Sequence, residues 1–447
     1  SYGSNELHGG GGDDVLSVHY SAGNNIFDGG TGNDTLIGSH KSDTYLFNKG
    51  DGHDTIVEVS QYSSESIDTL VFGAGLNASD VQVVREGFDV VLRFSSGTDS
   101  VRLKDWLTSS LAENAASSME VIRFADGTEW TAANLRAQLT TLGTAGNDEI
   151  TGWQGNDLIL AGAGDDVVNG GQGSNELHGG AGNDILRVHN LADNNIFVGG
   201  TGDDVLHGSD KSDIYRFNKG DGRDTIVEVS QYSSYSIDTL VLGEGLNVTD
   251  LRVLREGRDV VLSFGDGADA VRLKDWLTTS LNENSSASLE KILFADGKEW
   301  TAADIRAQLT TVGTSGADII TGWYGNDRIL GGAGNDVIDG GQGSNEIHGG
   351  EGNDTISVHY NADRNVLAGG TGDDVLTGSH KSDTYLFSKG DGRDTIIETS
   401  RYSTESIDTL VLDGIPRNVG QAKIMEEMID VKKVFHLACP SRETLFY

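Results

Sequence analysis

Acidic and amide side chains recur at a fixed interval behind glycine in "GGQGSNELHGGAGNDILR", Gly170 to Arg187. The stretch says one nine-residue phrase twice, Gly-Gly-x-Gly-x-(Asn/Asp)-x-apolar-x. Three glycines let the backbone turn sharply and expose its carbonyl oxygens, and the carboxylate that follows adds hard anionic oxygen. That combination suits calcium, which takes ~6 to 8 oxygens in irregular geometry; zinc asks for His or Cys, and magnesium for a rigid octahedron that keeps its waters. The apolar residue two places after the acid, such as Leu186, belongs on a short strand that points into a narrow core. Each phrase is thus a loop that needs an ion joined to a strand that needs a neighbour.

The composition agrees. Asp plus Glu number 69 against 32 Lys plus Arg, a formal charge of -37. Such a chain repels nucleic acid and anionic membranes, opposes its own compaction, and should bind something cationic. Gly occurs 62 times and Pro only twice. The glycines are therefore points of specified backbone geometry and not a flexible Pro-Gly linker. A single cysteine, Cys439, excludes an internal disulfide framework and a cysteine-based zinc site. No apolar run reaches the ~20 residues of a membrane span, and "SYGSNELHGG" has no basic and apolar leader regions, so any export uses a route without a cleavable signal peptide.

A longer repeat contains the short one. "SNELHGG" at Ser4 and Ser174 returns as "SNEIHGG" at Ser344, an interval of 170 residues, and the chain starts part-way through a unit, like a window cut from a longer array. Nonapeptide blocks are expected at residues 1–57, 143–227 and 313–397. Between them lie β-rich modules at 58–142 and 228–312, and 398–413 begins a truncated third. In the complete module, "DTLVL", "LRVLREGRDVVLSF" and "AVRLKDW" read as strands with a hairpin at "REGRD". "KILFADGKEW" reads as two strands joined at Asp296-Gly297, and "TAADIRAQL" as a helix capped by Thr301 with Asp304 closing a capping box.

"GGAGNDILR", "GGAGNDVID" and "GGTGDDVLH" resemble the calcium-binding nonapeptide of the RTX (repeats-in-toxin) family, here in more than a dozen copies in register. The modules, from "IDTLVLGEGL" to "ILFADGKEWTAADIRAQL", are similar to the haemolysin-type calcium-binding-related module of FrpC-like secreted proteins. The resemblance implies a parallel β-roll with two nonapeptides per coil and calcium between loops two copies apart. The expected fold is all-β dominated: β-roll blocks alternating with small β-rich α+β modules in a tandem repeat. The resemblance also implies passage through a type I secretion machinery, an extracellular or cell-surface location, and folding when calcium is met outside the cell.

Sorting the sixth positions by the two edges of such a roll separates two kinds of stack. One edge carries Asp148, Asp166, Asp184, Asp204 and Asp224; the other carries Asp157, Asn175, Asn195 and Asp213. The third block repeats the division, Asp318, Asp336, Asp354, Asp374 and Asp394 against Asp327, Asn345, Asn365 and Asp383. The first block keeps Asp14, Asp34 and Asp54 against Asn5, Asn25 and Asp43. All these aspartates except Asp43 are the candidate calcium ligands, and the all-Asp edge should fill first because affinity rises with anionic ligand count.

Other chemistries are less well served. His178 and His189 recur at His8, His19, His348 and His359, but no HExxH is present, and a surface or packing role is expected. Trp106, Trp276, Trp130 and Trp300 are expected to anchor the modules, and Trp153 and Trp323 to cap each roll against the preceding module; exposed platforms that stack on a sugar are the alternative. There is no GxSxG elbow, no HExxHxxGxxH and no Asp-Pro bond, so no catalytic site is expected. The runner-up function is an adhesin-type module recognising a cell-surface glycan or protein. The tail, 414–447, holds both prolines, the cysteine and two of three methionines. It resembles no secretion signal, "QAKIMEEMIDVKKVFHL" could make an amphipathic helix, and the stretch from Asp413 should be disordered or pack unlike the first two modules.

Overall fold

The computed structural model describes residues 3–58, 66–107, 119–153, 155–228, 236–277, 289–323, 325–398, 407–413, 429–431 and 436–438. The chain forms two compact units, Ser1–Phe217 and Asn218–Tyr447.

Within the first unit a long strand and a short strand alternate along the nonapeptides, one pair to each coil. Leu158–Ala163, Glu176–Ala181, Ile196–Thr201 and Ile214–Phe217 pair in parallel on one side; Glu149–Thr151, Val167–Asn169, Ile185–Arg187 and Val205–His207 do so on the other. The register aligns the apolar position of every copy. Ile159, Leu177, Phe197 and Tyr215 stand opposite one another, as do Val168, Leu186 and Leu206, all at most 2% exposed. These two rows facing inward are the core, and the period-two alternation of each strand turns its other residues to solvent. Gly182, at φ 127°, shows why the turns need glycine: a Cβ there would meet the Gly164 carbonyl carbon at 2.6 Å.

The module strands do not make a sheet of their own; they splice into those of the roll. Thr69–Phe72 pairs in parallel with Thr44–Phe47, and Ser100–Leu103 with His53–Val57. Ser100–Leu103 then pairs antiparallel with Asp89–Phe94, which forms a hairpin with Val81–Glu86; that strand runs parallel to Leu139–Leu142, itself paired with Leu158–Ala163. A single apolar cluster accordingly runs from Phe27, Leu36 and Tyr45 of the roll to Val83, Leu92 and Met119 of the module. Trp106 is buried in this cluster, and Trp130 and Trp153 pack against it. Trp106 is thus a core anchor, and Trp130 and Trp153 are half-buried against the core.

The second unit repeats the plan. Ile329, Ile347, Leu367, Tyr385 and Leu410 align in one row and Ile320, Ile338, Ile356, Leu376 and Ile396 in the other. The hairpin of "REGRD" pairs Glu256 with Asp259, and Lys291–Leu293 pairs antiparallel with Glu299–Thr301. The helix Ala302–Ala307 has Thr301 as N-cap and Asp304 in a capping box. Within 421–437, a stretch that could make an amphipathic helix, the described residues are strand instead. Ile429–Val431 and His436–Ala438 are strands, pairing in parallel with Asp394–Ile397 and Thr409–Asp413. The open ladders of those two strands offer unpaired N–H and C=O groups, and a β-branched segment such as Ile-Asp-Val satisfies them better than it extends a helix. The rest of 414–447 lies outside the described residues. No helix among the described residues is long and apolar enough to cross a membrane.

Candidate metal centres

Each aspartate of the all-Asp edge after the first is oriented by the coil before it. Asp148 N–H donates to Asp166 Oδ1 at 2.7 Å, Asp166 N–H to Asp184 Oδ1 at 2.8 Å, and Asp184 N–H to Asp204 Oδ1 at 2.7 Å. Asp336, Asp354 and Asp374 continue the same ladder in the second unit, as Asp14, Asp34 and Asp54 do in the first block. One oxygen of each carboxylate is thereby fixed and the other aimed. The Oδ2 atoms of Asp14, Asp34, Asp54, Asp166, Asp184, Asp336, Asp354, Asp374 and Asp394 are buried with no hydrogen-bond partner. Asp204 and Asp224 hold the equivalent places and are equally buried.

A buried carboxylate oxygen without a partner is costly unless a cation or a proton meets it. The space beside it is shaped for a hard cation. A Cβ on Gly331 would come within 2.6 Å of Asp336 Oδ2 and would strike the Gly349 carbonyl oxygen, so the glycine keeps clear a place bordered by carboxylate and carbonyl oxygen together. These donors fit calcium, and all-oxygen donors fit zinc poorly. Charge crowding shows in the acidities. Burial pushes Asp54 and Asp394 up to about 7, with Asp34 and Asp374 respectively adding repulsion, and Asp354 up to about 6. Burial also raises Asp184 and Asp374.

The Asn-interrupted edge is largely closed by its own hydrogen bonds, although Asn345 Nδ2 is buried without a partner. Asn195 Nδ2 donates to Asp213 Oδ1 at 2.7 Å, and Asn195 Oδ1 accepts from the backbone and side-chain nitrogens of Asn175 at 3.0 and 3.1 Å. Asn365 bonds Asp383 in the same way. The acids at the ends of this edge accept from their own loops: Asp157 Oδ2 from Trp153 N–H, Asp327 from Trp323, Asp213 from Ser209 and Asp383 from Ser379. Burial pushes Asp157 and Asp327 up to about 6 against those bonds. Asp148 and Asp318, first on the other edge, likewise accept from Thr144 and Thr314.

Three sets of residues escape a reading of the sixth positions alone. Fifth-position side chains form a second, exposed ladder, with Asp165 N–H on Asn147 and Asn183 N–H on Asp165. Asp43, Glu58 and Asp68 bring carboxylate oxygens within 4.8 Å of one another, as do Asp383, Glu398 and Asp408, with Tyr45 and Tyr385 donating to Glu58 and Glu398. Their recurrence at the longer period was the available signal. Asp99 and Asp269 each accept from the glycine amides of a neighbouring loop. The histidines are surface groups: His178 Nε2 lies 3.0 Å from Glu176 Oε1, and His189 Nδ1 accepts from Leu191 N–H. Among the described residues, the groups able to hold a metal contain carboxylates only.

Stacked loops that hold a row of aimed carboxylates beside carbonyl oxygens define a calcium-binding parallel β-roll. The RTX calcium-binding nonapeptide repeat (4 copies) matches residues 1–18, 19–56, 142–168, 160–187, 189–226, 312–338, 324–356 and 359–396; the haemolysin-type calcium binding protein related domain matches 89–134 and 259–304. The chain belongs to the RTX haemolysin-type calcium-binding repeat family. A search of the curated proteins finds no match. Among solved structures, the extracellular lipase LipA from Serratia marcescens is similar over 64% of this chain and 38% of its own, at 21% identity and a TM-score of 0.21.

Proposed function

We propose that this segment is a calcium-driven folding element of a secreted RTX protein. The observation that supports it is the row of buried Oδ2 atoms with no hydrogen-bond partner, present on the all-Asp edge and not on the Asn-interrupted one. Without calcium these carboxylates repel one another and resist burial; with calcium each becomes a ligand, and binding free energy becomes folding free energy. An unfolded acidic chain suits passage through a type I secretion channel, and millimolar calcium outside then closes the coils. The ligands assigned to calcium are the seventeen aspartates named above, with the all-Asp edge filling first. The segment itself has no catalytic role.

Far-UV circular dichroism of calcium-depleted protein tests this. Calcium should produce a cooperative gain of β signal that magnesium does not; an unchanged spectrum would overturn the proposal. Trp106 and Trp276 lie in the core and offer no platform to an adhesin-type reading. Binding to a glycan array would restore it.

A further inference from the structure

The carboxylate edge of the first block ends at Asp54, and the coil that follows is not a nonapeptide. Strand Ser100–Leu103 takes its place, with Ser100 opposite His53 and Val101 opposite Asp54. An apolar side chain thus stands where the ladder would put its next acid. The acid comes two residues earlier. Asp99, on the hairpin turn before that strand, accepts through Oδ1 from Gly50 N–H at 3.1 Å and Gly52 N–H at 3.4 Å, while Ser100 N–H donates to the Gly52 carbonyl at 2.8 Å. Asp99 is 2% exposed, and its Oδ2 is buried with no hydrogen-bond partner. Asp54, which follows the same glycine loop, presents a second orphaned Oδ2. Between them in sequence on that loop, Asp51 is 6% exposed. Burial raises its pKa against the bonds from Asn48, and the charges of Asp28 and Asp99 add to the rise.

The second unit builds the same seam. Asp269 Oδ1 accepts from Gly220 N–H at 3.0 Å and Gly222 N–H at 3.4 Å, and Ala270 N–H donates to the Gly222 carbonyl at 2.8 Å. Burial raises Asp221, with the charge of Asp269 adding. Two neutral amides orient each acid without neutralising it; Asp99 is buried and Asp269 half-buried, and the buried charge asks for a cation. Neither acid belongs to a nonapeptide.

We propose that Asp99 and Asp269 are calcium ligands at the end of the carboxylate edge, each holding an ion between the last nonapeptide loop and the hairpin turn of the module. Calcium then does more than close the roll: it fastens the module to it. The inference rests on the calcium reading above. The third repeat, whose chain departs after Asp413, has no counterpart of this acid.

The test uses the full chain with Asp99→Asn and Asp269→Asn, singly and together, and counts bound calcium by equilibrium dialysis. Asn keeps the Oδ1 acceptor and removes the charge. Each single variant should bind one ion fewer, or one ion at least tenfold more weakly, and the double variant two, with the β signal in excess calcium unchanged. Equal counts and affinities in the double variant would overturn the inference, even if thermal stability fell, because the acids would then only brace the loops. Should the variants not fold, crystals of the unaltered protein grown in calcium decide: an ion against Asp99 Oδ2 supports the site, and its absence there overturns it. An unaltered chain that binds no calcium at all would instead sink the proposed function.

Discussion

At the scale of the residue, the all-Asp edge is a set of acids held in a place that suits them only when something positive arrives. Asp54 and Asp394, raised to about 7 by burial and neighbouring acids, carry a direct consequence for pH. Their folded pKa values lie above the ordinary carboxylate value of about 4, so without calcium the stability linked to them is full below that value and is lost as pH rises through about 7. Less calcium should therefore be needed to fold the chain where protons already neutralise these acids: at limiting calcium, the folded protein should melt at a lower temperature at pH 8 than at pH 5. Saturating calcium should abolish or reverse the difference, since the ion prefers the ionised form. Calorimetry at limiting and saturating calcium checks it, and a melting temperature at limiting calcium that rises with pH would contradict the assignment. The sequence made these sixth-position acids legible because their spacing is local and repeated. It did not reveal Asp99 or the grouping of Asp43, Glu58 and Asp68, whose partners are distant in the chain.

At the scale of the element, the two edges of one roll solve the same stacking problem in opposite ways. Asp184 leaves an oxygen without a partner, whereas Asn195 donates to Asp213 and accepts from Asn175. Replacing Asn195 by Asp would set a carboxylate oxygen at hydrogen-bond distance from Asp213 Oδ1 and remove the donor between them. Asn195→Asp should cost about 1–3 kcal/mol at limiting calcium, the loss expected when a buried hydrogen bond becomes a like-charge contact. Excess calcium should recover most of it, because the edge would then offer adjacent carboxylates. Denaturant titration at limiting and at excess calcium separates the outcomes; equal losses in both would mean that the edge cannot take an ion even when charged. The strands themselves were readable from alternation and turn residues, as were the "REGRD" hairpin and the Thr301 cap. Their partners were not. "AVRLKDW" announces a strand, but nothing local says that Ala270 will face Arg223 of the roll and continue its sheet. Pairing across such separations is set by register and shared core, which no window of the sequence contains.

At the scale of the whole molecule, the charge of -37 admits two accounts of what calcium does, and they make different predictions. In one, calcium is a counterion that relieves diffuse repulsion between acids at the surface. Any salt would then serve, because at 1 M ionic strength the screening length falls to about 3 Å. In the other, calcium fills built sites, and bulk screening cannot replace it: the orphaned oxygens of Asp166, Asp184, Asp354 and their equivalents are shielded from solvent, where mobile ions do not reach. The geometry supports the second account, since the acids that need a cation most are among the least exposed in the chain. Calcium-depleted protein in 1 M potassium chloride should stay largely without its β signal, gaining compaction at most. Calcium at 5 mM in low salt should restore the signal fully, and 5 mM magnesium should not, because ~2.0 Å octahedral coordination does not suit ligands fixed by a repeating backbone. Circular dichroism reports the β-roll and small-angle scattering the compaction, so the two effects are read separately. If potassium chloride alone produced the full β signal, the aspartate ladder would be a charge problem solved by screening, and the sites would need another explanation.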